Sequence, residues 1–267
     1  MEKYSFSRLS TFNTCILEFI FKYIICEEEE SNAMSEYGKY IHSLLDKWVK
    51  GEIETYNLLA NFEEEYDICV PTPFPYARNK NYMGDEYYED AVSFLSNFNG
   101  IREYEILESE IKFEIEIEDF IFVGIIDLLL QDEDGNIIVW DWKSKKGFKD
   151  EAEEAKYRRQ LYLYSYYVNE KYGKLPTSTI FYCFRQQKSY EKSFDMDAYN
   201  ESVKWMFDTV AKIRELYVAY NWFYCNQLCG YGVSHGECPI KNEIENNPNW
   251  KEILKKIKTG CDNPEHK

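Results

Sequence analysis

Two carboxylates stand where this chain calls for apolar side chains, and they restrict its fold more than any other feature. Asp127 interrupts VGIIDLLL (123–130), and Asp141 lies between two tryptophans in VWDWK (139–143). An isolated buried carboxylate is costly unless it is paired, hydrogen-bonded or bound to a metal. The turn Asp132-Glu-Asp-Gly-Asn136 separates the two runs, which predicts adjacent antiparallel strands. Both carboxylates then reach one sheet edge, and strand alternation puts Lys143 on the face of Asp141. Two Asp and one Lys converging in this way make a metal-ligand pair beside a cation able to orient water or steady a phosphate. For either Asp alone, a buried Asp–Lys salt bridge explains it as well.

The flanking periodicities predict the rest. Helical spacing of Leu9, Phe12, Ile16, Phe19 and Tyr23 predicts a helix over 7–25, and Ile41, Leu44, Leu45 and Trp48 predict a second over 36–49. Pro71, Pro73 and Pro75 mark a loop, and 85–98 returns to helix. Ile111, Phe113, Ile115 and Ile117 alternate with charged residues as a half-buried strand opened by Glu110. The nearly all-apolar 120–130 predicts a strand buried on both faces, followed by 137–142 to complete a meander. Asp150 with Glu153 opens a helix that Gly173 and Pro176 close, 179–185 is a fourth strand parallel to one of the meander, and 197–220 is a long helix. The glutamate runs 27–30 and 63–65 read as solvated face or loop. The sum is an α/β chain with helical additions at both ends. It is expected as a single domain: 1–105 helical, 106–220 a core, and 221–267 carrying a cysteine cluster.

The motifs resemble the PD-(D/E)XK nuclease superfamily, especially its RecB-like exonuclease branch. The resemblance rests on GIID (124–127), DWK (141–143) and Gln160-Leu-Tyr-Leu-Tyr164, which matches a QxxxY motif. Upstream, Gly38-Lys-Tyr-Ile-His42 matches a GxxxH helix motif, and Ser7-Arg-Leu9 with Cys15 resembles the N-terminal segment. Each is weak alone, but together they stand in the family's order from residue 7 to 238. The resemblance implies a restriction-endonuclease-like mixed sheet flanked by helices, and Mg²⁺- or Mn²⁺-dependent hydrolysis of DNA, more exonucleolytic than at internal sites. It implies His42, Asp127, Asp141 and the Trp142 backbone carbonyl as metal ligands, and Lys143 as the group that positions water and stabilises phosphorane charge. Glu110 would assist through metal-bound water or a second cation, and Gln160 and Tyr164 would hold DNA or the Lys143 region. On the residues alone, His42 reads as a satisfied, partly buried histidine, and Gln160 and Tyr164 as polar edges of an aromatic helix. A catalytically inactive DNA-binding or assembly subunit, and a nuclease acting on RNA, are the competing functions.

Cys225, Cys229 and Cys238 cluster near the C-terminus, with Cys15 a distant fourth. Three readings compete: a four-iron four-sulfur cluster on these four, as in many RecB-like relatives but with wider spacing; zinc on Cys225, Cys229, His235 and Cys238; and ordinary reduced thiols. The net charge of −17 disfavours an unaided nucleic-acid coating surface, although Lys143, Lys145, Lys146 and Lys149 concentrate positive charge locally. That balance points to a narrow basic channel for single strands or duplex ends, or to a protein partner in recombination, repair or CRISPR-type processing. With 45% hydrophobic residues the chain can bury a sizeable core. It shows neither an apolar run of roughly 18 residues nor a basic-then-apolar leader, which predicts a cytoplasmic protein without membrane contact.

Overall fold

The structure, a computed structural model, describes residues 1–20, 22–23, 32–77 and 79–219. In chain order the regular elements are β1 (Glu2–Ser5), α1 (Phe6–Thr14), α2 (Ile16–Ile20), α3 (Ala33–Val49), α4 (Leu58–Cys69), α5 (Met83–Asn97), β2 (Glu105–Ile117), β3 (Phe120–Gln131), β4 (Ile137–Lys143), α6 (Glu151–Tyr172), β5 (Ser178–Cys183), β6 (Lys188–Ser193) and α7 (Met196–Ala219). The six strands form one mixed sheet flanked by helices, the α/β architecture expected. Among the described residues no helix is long and apolar enough to cross a membrane.

The chain divides into two compact units. The first contains 1–29, 114–124 and 200–267. Within its described part β1 runs parallel to Phe120–Val123 of β3. Tyr4 packs edge-on against Phe120, and Arg214 bridges Glu2 and Asp119 at 3.0 and 2.7 Å. The expected helix over 7–25 breaks here at Cys15, which adopts an extended backbone at φ −153°. Its N–H still closes onto the Thr11 carbonyl, while its sulfur accepts the Glu18 N–H at 3.5 Å and so caps α2. Helical periodicity runs through such a break because both halves keep the same apolar face.

The second unit, 30–113 with 125–199, carries the candidate site. Leu128–Gln131 of β3 pairs antiparallel with β4, β4 pairs parallel with β5, and β5 pairs antiparallel with β6. The meander strands and the parallel fourth strand stand where the sequence predicts them. Helix α6 begins at Asp150, whose side chain accepts the Glu153 N–H at 2.8 Å, and ends on Gly173 in the left-handed conformation. Tyr37, Ile41 and Leu44 of α3 join Phe62, Phe94, Leu128, Leu130, Trp140 and Ile180 in one core.

Some expectations needed correction. Strands β1 and β6 and helix α4 were not anticipated. β6, KSYEKS, is almost wholly exposed, a polar edge strand without apolar alternation, as edge strands often are. In α4 only Leu58 and Phe62 are buried; Glu63 and Glu64 of its charge run are exposed, the solvated face expected. The 120–130 run is not buried on both faces, because Ile125 is 44% exposed. It lies two residues from Asp127 and shares that residue's open face. The glutamate run 27–30 lies outside the described residues.

Candidate metal centre

Strand pairing builds the site. Leu128 pairs with Trp140, so one step further along this register Asp127 stands opposite Asp141. There the Asp127 side chain takes over from the ladder: its Oδ2 accepts the Trp142 backbone N–H at 2.7 Å. Helix α3 supplies His42, whose Nδ1 lies 3.6 Å from Asp127 Oδ2 and 4.0 Å from Glu110 Oε1. Gly38, one turn earlier, lets α3 pass close to the chain after β4, since a Cβ there would meet Ser144 Oγ at 3.2 Å.

Glu110 does not open its strand, as the sequence suggested, but sits inside β2, which begins five residues earlier. Its backbone is left-handed, at φ +46°. A non-glycine residue in that region carries strain of about 1–3 kcal/mol, which the surrounding structure must offset.

His42, Glu110 and Asp127 each offer one donor atom, and all three donors lie within 4.8 Å of one another. Carboxylate oxygens with one imidazole suit a divalent cation of the Mg²⁺ or Mn²⁺ type. The electrostatics also fit a cation. Burial and the neighbouring Asp127 raise the Glu110 pKa. For His42, burial acts to lower the pKa, but the charge and hydrogen bond of Asp127 outweigh it and the net shift is upward. Negative charge is thus gathered around these three donors, which favours their protonated forms.

Asp141 and Lys143 sit beside this group as a pair. Lys143 Nζ is 2.6 Å from Asp141 Oδ2, with Asp141 only 5% exposed. Burial pushes the Asp141 carboxyl up to about 6, against the pull of Lys143. Burial works against the Lys143 ammonium as well, yet Asp141 and Asp127 hold its pKa above the ordinary lysine value. The surrounding carboxylates thus favour the charged form of Lys143. It donates to Gln160 Oε1 at 3.3 Å, and Gln160 Nε2 donates to the Tyr164 hydroxyl at 2.6 Å. Tyr164 is buried, and that burial raises its phenol.

Of the residues singled out from sequence, His42, Glu110, Asp127, Asp141, Lys143, Gln160 and Tyr164 all converge in this unit. Asp141 falls outside the three-donor group and is held by Lys143. Trp142 contributes its N–H to Asp127. Cys15 is buried in the first unit, whereas Cys225, Cys229, His235 and Cys238 lie outside the described residues. Sequence reasoning missed Asp46, which accepts from Ser109 Oγ at 2.8 Å, pairs with Lys50 at 2.6 Å, and raises the Glu110 pKa further. Its position four residues after His42, on one helix face, was the available signal.

The family model of the PD-(D/E)XK nuclease superfamily matches residues 3–262. A crystal structure of a candidate exonuclease from Eubacterium rectale is 13% identical, with 86% of each chain covered and a TM-score of 0.49. No curated protein matches the sequence. With the family match spanning almost its whole length, the chain belongs to the PD-(D/E)XK nuclease superfamily.

Proposed function

We propose that the protein is a divalent-metal-dependent deoxyribonuclease that trims DNA from an end, with single strands or duplex ends as substrate. The observation that carries the reading is the convergence of the His42, Glu110 and Asp127 donors within 4.8 Å, beside the buried Asp141–Lys143 pair. The end preference rests on the RecB-like motifs alone.

In this reading His42, Glu110 and Asp127 hold Mg²⁺ or Mn²⁺. The cation, when bound, polarises the phosphoryl oxygen and lowers the pKa of a coordinated water. Asp141, turned toward Lys143, fixes the ammonium and takes up a second carboxylate position next to the centre. Lys143 keeps its proton and steadies the charge that develops on the phosphate, an electrostatic role that needs a preset cation. Gln160 holds Lys143 from the side, and Tyr164 fixes Gln160. Lys145 and Lys146, the nearby lysines in sequence, are held in ion pairs with Glu153 and Glu86, so a phosphate would have to compete for them.

End-labelled single- and double-stranded DNA incubated with Mn²⁺, Mg²⁺ or EDTA tests the proposal. Shortening from an end that requires metal and vanishes in Asp127→Asn is expected. Cleavage that survives EDTA, or that persists in the variant, would refute it.

A further inference from the structure

Of the three donors at the candidate metal centre, Glu110 is the one whose backbone is strained. It is left-handed at φ +46° inside a strand, a conformation that breaks the pleat and re-aims the side chain. From Ile111 onward buried and exposed residues of β2 alternate, whereas Glu108, Ser109 and Glu110 just before it are all half-buried. Such a conformation persists only where surrounding contacts over-determine it.

One such contact comes from α3. Ser109, the residue before Glu110, donates its hydroxyl to Asp46 Oδ1 at 2.8 Å. The other oxygen of that carboxylate, Oδ2, takes the Lys50 ammonium at 2.6 Å. Asp46 is therefore held through both oxygens. It lies four residues after His42, so one face of α3 carries both the imidazole of the centre and the acceptor for Ser109.

Helix stability does not account for this carboxylate. Asp46 stands in the last turn of α3, where the negative end of the helix disfavours an anion. Its ion pair is with an exposed lysine, and exposed pairs of this kind contribute little. What remains is the bond across to β2, made one residue from Glu110 and one helical turn from His42.

We propose that Asp46 and Ser109 are positioning residues for the metal centre. Their hydrogen bond fastens β2 to α3 and holds the Glu110 carboxylate 4.0 Å from His42 Nδ1, where the two can share a divalent cation. The inference deepens the proposed function and rests on its reading of His42, Glu110 and Asp127 as metal ligands. Groups that orient ligands without touching the metal set its affinity by about ten- to a hundredfold.

Mn²⁺ titration of the metal-free full chain, read by the electron paramagnetic resonance of unbound Mn²⁺, tests it, with thermal melting of each metal-free variant alongside. The parent should bind Mn²⁺, and Asp127→Asn should lose that binding. Ser109→Ala, which changes no charge, should bind about ten- to a hundredfold more weakly. Asp46→Asn keeps an oxygen for the Ser109 hydroxyl and Asp46→Ala does not, so the Asn variant should bind more tightly of the two. A merely structural bond would lower the melting temperatures and leave the affinities alone. With Asp127→Asn impaired, the inference is overturned if Ser109→Ala binds Mn²⁺ as the parent does, or if the two Asp46 variants bind alike. A parent that binds no Mn²⁺, or an Asp127→Asn variant that binds it equally, would instead remove the metal-centre reading and this inference with it.

Discussion

The Asp127 carboxylate accepts the Trp142 backbone N–H at 2.7 Å, so one side chain both extends the β3–β4 pairing and stands among the three donors of the candidate metal centre. The two roles separate by substitution. Asp127→Asn keeps an oxygen for that N–H, and its metal-free stability should fall by no more than about 1 kcal/mol. Asp127→Ala leaves the N–H unpaired and should lose a further 1–3 kcal/mol or so. Urea unfolding reads both values, and both variants should lose stabilisation by Mn²⁺. An Asn variant as unstable as the Ala variant would show that charge, not the hydrogen bond, holds the strands.

Removing Lys143 strands Asp141 in the interior. Breaking a buried pair costs about 3–5 kcal/mol when the remaining charge finds no other partner. Asp141 already has its pKa pushed up to about 6, and without Lys143 it should rise further. A carboxyl raised on folding costs stability as pH climbs from the ordinary carboxylate range through its folded value. Lys143→Ala should therefore lose much more melting temperature at pH 8 than at pH 5. A loss independent of pH would contradict the buried pair.

Protons and metal should compete at His42 and Glu110. His42 has a raised pKa, so its imidazolium contributes stability below about 6.5, which is lost as pH rises through the folded value. A metal ligand must be neutral imidazole or ionised carboxylate. Mn²⁺ at about a hundred times its dissociation constant should raise the melting temperature by about 5–10 °C at pH 8. The same concentration should give much less at pH 5.5. Equal shifts at the two pH values would place the cation elsewhere.

Tyr164 and Gln160 act on Lys143 from behind. Tyr164→Phe removes the acceptor that fixes Gln160, and Gln160→Leu removes the contact to the ammonium. Displacement of a catalytic group by about 1 Å can cost about a hundredfold in rate. Each variant should lower kcat by roughly ten- to a hundredfold with KM for DNA little changed. A rise in KM at constant kcat would instead make these residues direct DNA contacts.

Much of this was legible because strong periodicity and misplaced charge are local signals. Asp127 and Asp141 were conspicuous inside apolar runs, and the turn between them set their pairing. Asp150, Glu153 and Gly173 marked both ends of α6 by their own chemistry. Other features depend on partners distant in sequence. Nothing in EKYS announces that β1 lies parallel to Phe120–Val123 more than a hundred residues later. The break at Cys15 is hidden because its sulfur imitates a capping oxygen. The different surroundings of Glu110 and Asp141 were also hidden: both are acidic residues near one sheet edge, but Asp141 is buried against Lys143 at 2.6 Å while Glu110 is more open and faces His42.

The left-handed backbone at Glu110 has a consequence for any search for hardier variants of this protein. Glycine is the residue that occupies such a conformation without strain, so Glu110→Gly would relax the strand while deleting a carboxylate from the centre. A library sorted by heat resistance alone would enrich that exchange, and the clones that best withstood heating would be among those least able to retain a cation. Selection for robustness and selection for activity therefore pull this one position in opposite directions.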